Sequence, residues 1–139
     1  YASAGHEPAL LASGAGPPTV LGATGTLVGV ADDLAWVTES VPVGPGDLLV
    51  CPTDGVTEAM DPGGNLFGRD RLAALVAEAG RAEPEAVLAR VDGAVRAHLG
   101  RAVPADDYTL VAVRFGGAEG ATWKPEQARP GRERRSRSG

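Results

Sequence analysis

The sequence predicts an α+β fold in which two helices cover a mostly antiparallel sheet. Three observations carry this. Residues Tyr108 to Phe115 read Tyr-Thr-Leu-Val-Ala-Val-Arg-Phe, a β-branched and aromatic strand buried on at least one face. Residues 69–79 and 84–99 each carry an apolar stripe at helical spacing. Leu48 to Cys51 is a continuous apolar run entered through the turn Pro45-Gly46. Strands, then two helices, then a strand is the order of an α+β domain.

The elements follow in order. Tyr1 to Ala4 reads as a strand end and Ala9 to Ala12 as a second strand, with Gly5-His6-Glu7-Pro8 as the turn of a hairpin between them. Residues 13–29 are rich in Gly, Pro and Thr and read as a loop with a short strand at Thr19 to Leu21. Gly14-Ala15-Gly16 is no dinucleotide fingerprint, because Pro17 and Pro18 follow where a helix would begin. Asp32-Asp33 reads as a solvated turn. Leu34 to Val43 alternates imperfectly as a strand, with Trp36 and Val41 expected against the core and Pro42 and Pro45 marking its end. Asp61 to Asn65 is a loop that Leu66-Phe67-Gly68 closes against the body. The first helix runs from Arg69 or Asp70 to Ala79, striped by Leu72, Leu75, Val76 and Ala79 and stopped by Gly80. The second starts at Pro84, an imino acid suited to a first turn, and runs to about Leu99 on Val87, Leu88, Val91, Val95 and Leu99. His98, near its end, is accounted for by the helix dipole.

Composition narrows the function classes. The net charge of −5 divides unevenly. Residues 1–115 carry seven Arg and fifteen Asp or Glu, giving −8, whereas residues 116–139 carry six Lys or Arg and three Glu, giving +3. An acidic body argues against nucleic acid as the main partner. This basic end, whose run Arg132-Glu133-Arg134-Arg135-Ser136-Arg137-Ser138 has no apolar residue to dock it, is expected to be a disordered tail. No apolar run is long enough to span a bilayer, and one Cys forms no internal disulfide, which fits a cytoplasmic protein. The start at Tyr1 leads us to expect a portion of a longer polypeptide.

Candidate chemistry concentrates at Thr53-Asp54-Gly55, the polar tip of the Leu48–Cys51 strand. Asp-Gly is a common turn dipeptide, and a strand that delivers one carboxylate into a Gly-bearing turn is also a way to hold a metal or a phosphate. Asp106-Asp107 stands just before the last strand as Asp54 stands just after the central one. If those strands are antiparallel neighbours, the carboxylates converge at one sheet edge. Oxygen ligands without a nearby cationic side chain select a hard ion, Mg²⁺ or Mn²⁺, over zinc. Other phosphate and hydrolase chemistries fail on the letters. Cys51 lacks an Arg six positions on, no Gly-rich loop ends in Lys-Ser/Thr, and no Gly-x-Ser-x-Gly elbow occurs.

Four ordered segments resemble the C-terminal half of the PPM-type metal-dependent serine/threonine phosphatases, in the bacterial branch typified by SpoIIE and RsbU. They are Tyr1-Ala2-Ser3-Ala4-Gly5-His6-Glu7-Pro8-Ala9-Leu10-Leu11, then Gly46-Asp47-Leu48-Leu49-Val50, then Thr53-Asp54-Gly55-Val56-Thr57-Glu58-Ala59 with Phe67-Gly68, and Asp106-Asp107-Tyr108-Thr109-Leu110. The resemblance covers residues 1–115 and implies part of a β-sandwich flanked by helices, with N-terminal strands missing. It implies a domain portion over 1–115, two Mn²⁺ or Mg²⁺ ions in the complete domain, and attack on phosphorus by a metal-activated water. Asp54 and Asp106 correspond to the two metal-ligand aspartates of this half. Asp107 and Gly55 support the turns, Glu58 caps or positions the segment after the loop, and His6 serves either the hairpin or the site. The implied substrate is a phosphoserine or phosphothreonine protein, such as an anti-sigma-factor antagonist in bacterial stress signalling.

Two departures stand out. The family's other metal-ligand Asp belongs to a Gly-Asp-Val-(Ser)-Gly motif that this sequence lacks, and Cys51-Pro52 replaces an aliphatic-Tyr pair. A catalytically incomplete fragment acting as an interaction module is therefore the alternative.

Overall fold

The computed structural model describes residues 1–102 and 106–116. The strands β1 (Ala9–Ala12), β2 (Thr19–Leu21), β3 (Leu48–Pro52) and β4 (Leu110–Arg114) form one sheet in the order β2-β1-β3-β4. Every pairing in it is antiparallel. Between β3 and β4 the chain makes a one-turn helix α1 (Asp54–Thr57) and two longer helices, α2 (Arg69–Ala79) and α3 (Pro84–Leu99). The expected α+β layout is thus the observed one.

Register explains how the sheet becomes two-faced. Leu10 pairs with Val50 and Val50 with Ala112, so these three side chains share a face, as do Pro52 and Leu110. That face meets the helices: Leu10, Leu48 and Val50 join Leu72 and Val76 of α2 and Val87, Val91, Val95 and Leu99 of α3 in one buried cluster. The predicted helical stripes are therefore the core stripes. Gly80, which ends α2, has φ of 54°, a left-handed conformation that costs a side-chain-bearing residue energy. On the opposite face Leu11 and Leu21 are buried, but Val111 and Val113 remain 48% and 44% exposed.

Three expectations are corrected. The segment Tyr1–Ala4 does not form a hairpin with β1, because β2 and β3 already occupy both edges of that strand. It is tied elsewhere, through an Ala4–Gly25 bridge and a Glu39 to Tyr1 backbone hydrogen bond. Residues 34–43 form no strand. They hold only scattered rungs, Val37 to Thr24 and Glu39 to Tyr1, too few for a ladder. Trp36 and Val41 accordingly stand outside the core. Trp36 is 36% exposed, lies over Gly25 and donates its indole N–H to the Thr26 carbonyl at 2.8 Å. The expected tail falls outside the described residues apart from Gly116, as do Val103-Pro104-Ala105.

Candidate active site

The site grows out of the β3–β4 pairing. The last ladder pair is Pro52 with Leu110, and the next residues extend it: Thr53 N–H donates to the Thr109 carbonyl at 3.0 Å, and Thr109 N–H donates to Thr53 Oγ1 at 2.9 Å. The end of β3 and the start of β4 are thereby clamped side by side. Asp54, one residue beyond Thr53, and Asp106-Asp107, just before Tyr108 and Thr109, are carried to the same end of the sheet.

Thr53-Asp54-Gly55 opens α1 rather than an open turn. Val56 of α1 is fully buried in the core and anchors the helix. Gly55 faces the incoming strand so closely that a Cβ there would lie 2.6 Å from the Asp107 carbonyl oxygen and 3.1 Å from Tyr108 Cβ. Only a residue without a side chain permits this approach.

A small cleft of about 100 Å³ lies at this junction, with Asp54, Glu58 and Asp106 on its rim and Ala59, Met60, Leu99 and Tyr108 in its lining. Among the described residues, no Lys or Arg lines it. Asp54 and Asp106 are exposed, and each accepts a hydrogen bond from the next residue's backbone N–H, at 2.9 Å from Gly55 and 2.8 Å from Asp107. Oxygen donors suit a hard divalent ion, and one basic side chain, Arg96, lines the adjoining hollow that Asp106 also borders. Among the described residues, however, no group of three or more His, Cys, Asp or Glu side chains is gathered closely enough to hold a metal. The donor chemistry fits a metal ion; the number of donors fits only part of a coordination shell.

The remaining expected residues fall around this core. Glu58 is the C-cap of α1, donating its N–H to the Asp54 carbonyl at 2.7 Å. Asp107 contributes its carbonyl to the contact with Gly55, and with Asp106, Tyr108, Asp92 and Arg96 it lines a neighbouring hollow. His6 is exposed, with Nδ1 2.9 Å from the Glu7 carbonyl oxygen, and does not line the cleft.

Sequence reasoning passed over three sets of contacts. Tyr108 donates its hydroxyl to Asp92 of α3, whose other carboxylate oxygen accepts from Arg96 at 2.8 Å. Arg96, and then Tyr108, hold the Asp92 carboxyl below its ordinary range, and the bond to Asp92 pushes the Tyr108 phenol up. The Asp92–Arg96 spacing was a legible helical pair; Tyr108 carried no such signal. His98, assigned to the helix dipole, accepts from Arg71 at Nδ1 (2.7 Å) and so donates from Nε2 to the Asn65 carbonyl (2.9 Å). Glu7 takes a bidentate hydrogen bond from Arg69 at 2.7 and 2.8 Å, for which 62 residues of separation left no signal.

A four-stranded antiparallel sheet with helices on one face defines a mixed α/β domain, with acidic residues gathered at one strand junction. The structure matches the SiaA-PP2C domain of Pseudomonas aeruginosa with a TM-score of 0.69 over 81% of this chain and 44% of that one, at 21% identity. Residues 1–116 match the family model of Stage II sporulation protein E (SpoIIE), and the chain belongs to that family. It is also 33% identical over 113 residues to Protein IcfG of a Synechocystis species. The match takes in 81% of this chain and 18% of IcfG, so the chain spans less than a fifth of that relative.

Proposed function

We propose that the protein is a divalent-metal-dependent phosphatase acting on phosphoserine or phosphothreonine in proteins, with Asp54 and Asp106 as its metal ligands from this part of the domain. The observation that carries the reading is the β3–β4 clamp, which brings both carboxylates to one cleft that no basic side chain among the described residues lines. Membership of the SpoIIE family supports it independently. Mn²⁺ or Mg²⁺, two ions in the complete domain, supplies neutralisation of phosphate oxygens and a water of lowered pKa, so that no covalent phosphoenzyme is needed. The chain's own part is to hold Asp54 on a helix fixed in the core, to hold Asp106 beside it, and to keep the cleft acidic.

In this reading residues 1–115 are the C-terminal portion of a PPM-type domain, and the remaining strands cover the sheet face on which Val111 and Val113 are exposed. The substrate is a phosphoprotein of bacterial regulation such as an anti-sigma-factor antagonist, met in the cytoplasm. Phosphate release from a phosphopeptide by the complete polypeptide, dependent on Mn²⁺ and lost in Asp54→Asn and Asp106→Asn, tests the assignment.

The shortage of carboxylates among the described residues favours a second reading, in which the chain serves as an interaction module without catalysis. A complete polypeptide that binds a partner but releases no phosphate with either metal would establish that alternative.

A further inference from the structure

Glu7 lies just before β1, and neither it nor Arg69 lines the cleft. Its side chain is nonetheless only 8% exposed, against 69% for Arg69. Three donors engage its carboxylate. Arg69 Nε reaches Oε1 at 2.7 Å, Arg69 Nη2 reaches Oε2 at 2.8 Å, and the Thr57 hydroxyl reaches Oε1 at 3.1 Å. An exposed ion pair contributes little, but a buried carboxylate held by a planar fork is fixed in place.

The object of this grip is α1. Four residues are too few for a helix to hold its own geometry, and Thr53 at its N-cap makes no side-chain capping bond. Outside contacts therefore set its position: Val56 in the core, the Thr53–Thr109 rungs, and the Glu7–Thr57 bond. Thr57 is 5% exposed, and its hydroxyl stands between the Glu7 carboxylate and the Asp54 carbonyl, 3.2 Å from the latter.

We propose that Glu7, braced by Arg69, is a positioning residue that fixes the Asp54 helix through Thr57, so that metal affinity in the cleft depends on a carboxylate outside it. The inference rests on the reading of Asp54 as a metal ligand. It joins the segment before β1, α1 and the first residue of α2 in one brace.

The test is Mn²⁺ binding to the complete polypeptide, followed by electron paramagnetic resonance of the free ion and by metal-free thermal melts. Glu7→Gln and Thr57→Val are each expected to weaken Mn²⁺ binding about three- to tenfold, the worth of one hydrogen bond. The double variant is expected to bind no more weakly than the worse single one, because Glu7→Gln loosens and Thr57→Val removes the same connection. Should Glu7→Gln fail to fold, Thr57→Val alone decides. Melting shifts with Mn²⁺ affinity unchanged in both single variants, while Asp54→Asn abolishes binding, would overturn the proposal and leave the metal site standing. Wild-type binding in Asp54→Asn would overturn the site itself, and the proposal with it.

Discussion

Gly55 and Asp107 meet across the β3–β4 junction so closely that a Cβ on Gly55 would lie 2.6 Å from the Asp107 carbonyl oxygen. The neighbour is backbone, part of the segment that leads into β4, and cannot swing aside as a side-chain tip could. Gly55→Ala is therefore expected to push the two strand ends apart and to weaken Mn²⁺ binding by about tenfold or more, through misplacement of the carboxylates. A Gly55→Ala protein with wild-type Mn²⁺ affinity and melting temperature would show that the close approach is not needed.

Glu7 makes a pH prediction whose sign is fixed. Arg69, followed by Thr57, holds the Glu7 carboxyl below its ordinary range against the opposing effect of burial. A carboxyl depressed in the folded state contributes stability that is full above its unfolded value of about 4.3 and is lost as pH falls through the lower folded value. Wild type should lose stability across that acid window, and Glu7→Gln should lose less over the same range. Urea unfolding at pH 6 and at about pH 3.5 measures the difference. Parallel losses in the two proteins would contradict the ion pair.

His98 joins α3 to the loop before α2. It accepts from Arg71, donates to the Asn65 carbonyl, and meets the Phe67 ring edge-on at 5.6 Å. His98→Leu keeps the bulk against Phe67 and removes both hydrogen bonds, and should cost about 1 kcal/mol. A shifted urea midpoint at unchanged slope is the expected signature. An unchanged midpoint would return His98 to the role of a simple helix-end residue.

The sheet face away from the helices offers a third kind of test. Val111 and Val113 stand half exposed there, on a strand whose alternate residues Leu110 and Ala112 pack against the core. If the rest of a PPM domain covers that face, Val111→Asp should be tolerated by residues 1–139 alone. In the complete polypeptide it should cost at least about 2 kcal/mol, since a charge would then be buried without a partner. Equal effects in both contexts would mean that the face is open in the whole protein.

Much of this was legible in the letters, for identifiable reasons. The spans of β1, β2, β3, α2 and α3 were signalled by apolar runs or stripes bounded by Gly and Pro; the antiparallel β3–β4 pairing was only allowed by the helical excursion between them, and it is the one observed. The helix α1 was illegible because four residues with Gly second carry no period. Residues 34–43 alternate like a strand, but alternation specifies a face and not a partner, and no neighbouring ladder takes them up. At the site, the places of Asp54 just after one strand and Asp106 just before another suggested that they converge, and both line one cleft; the ligand role proposed for them came from the family resemblance. The buried Glu7 was not, because its partners Thr57 and Arg69 lie 50 and 62 residues away, and a Glu beside a turn looks like a surface residue.

The most direct test of the account is Mn²⁺-dependent phosphate release from a phosphoserine peptide by the complete polypeptide, wild type against Asp54→Asn and Asp106→Asn. Loss of a metal ligand removes several kcal/mol of transition-state stabilisation, so each variant should fall by about two orders of magnitude or more. Either variant releasing phosphate at the wild-type rate would contradict the assignment of the cleft.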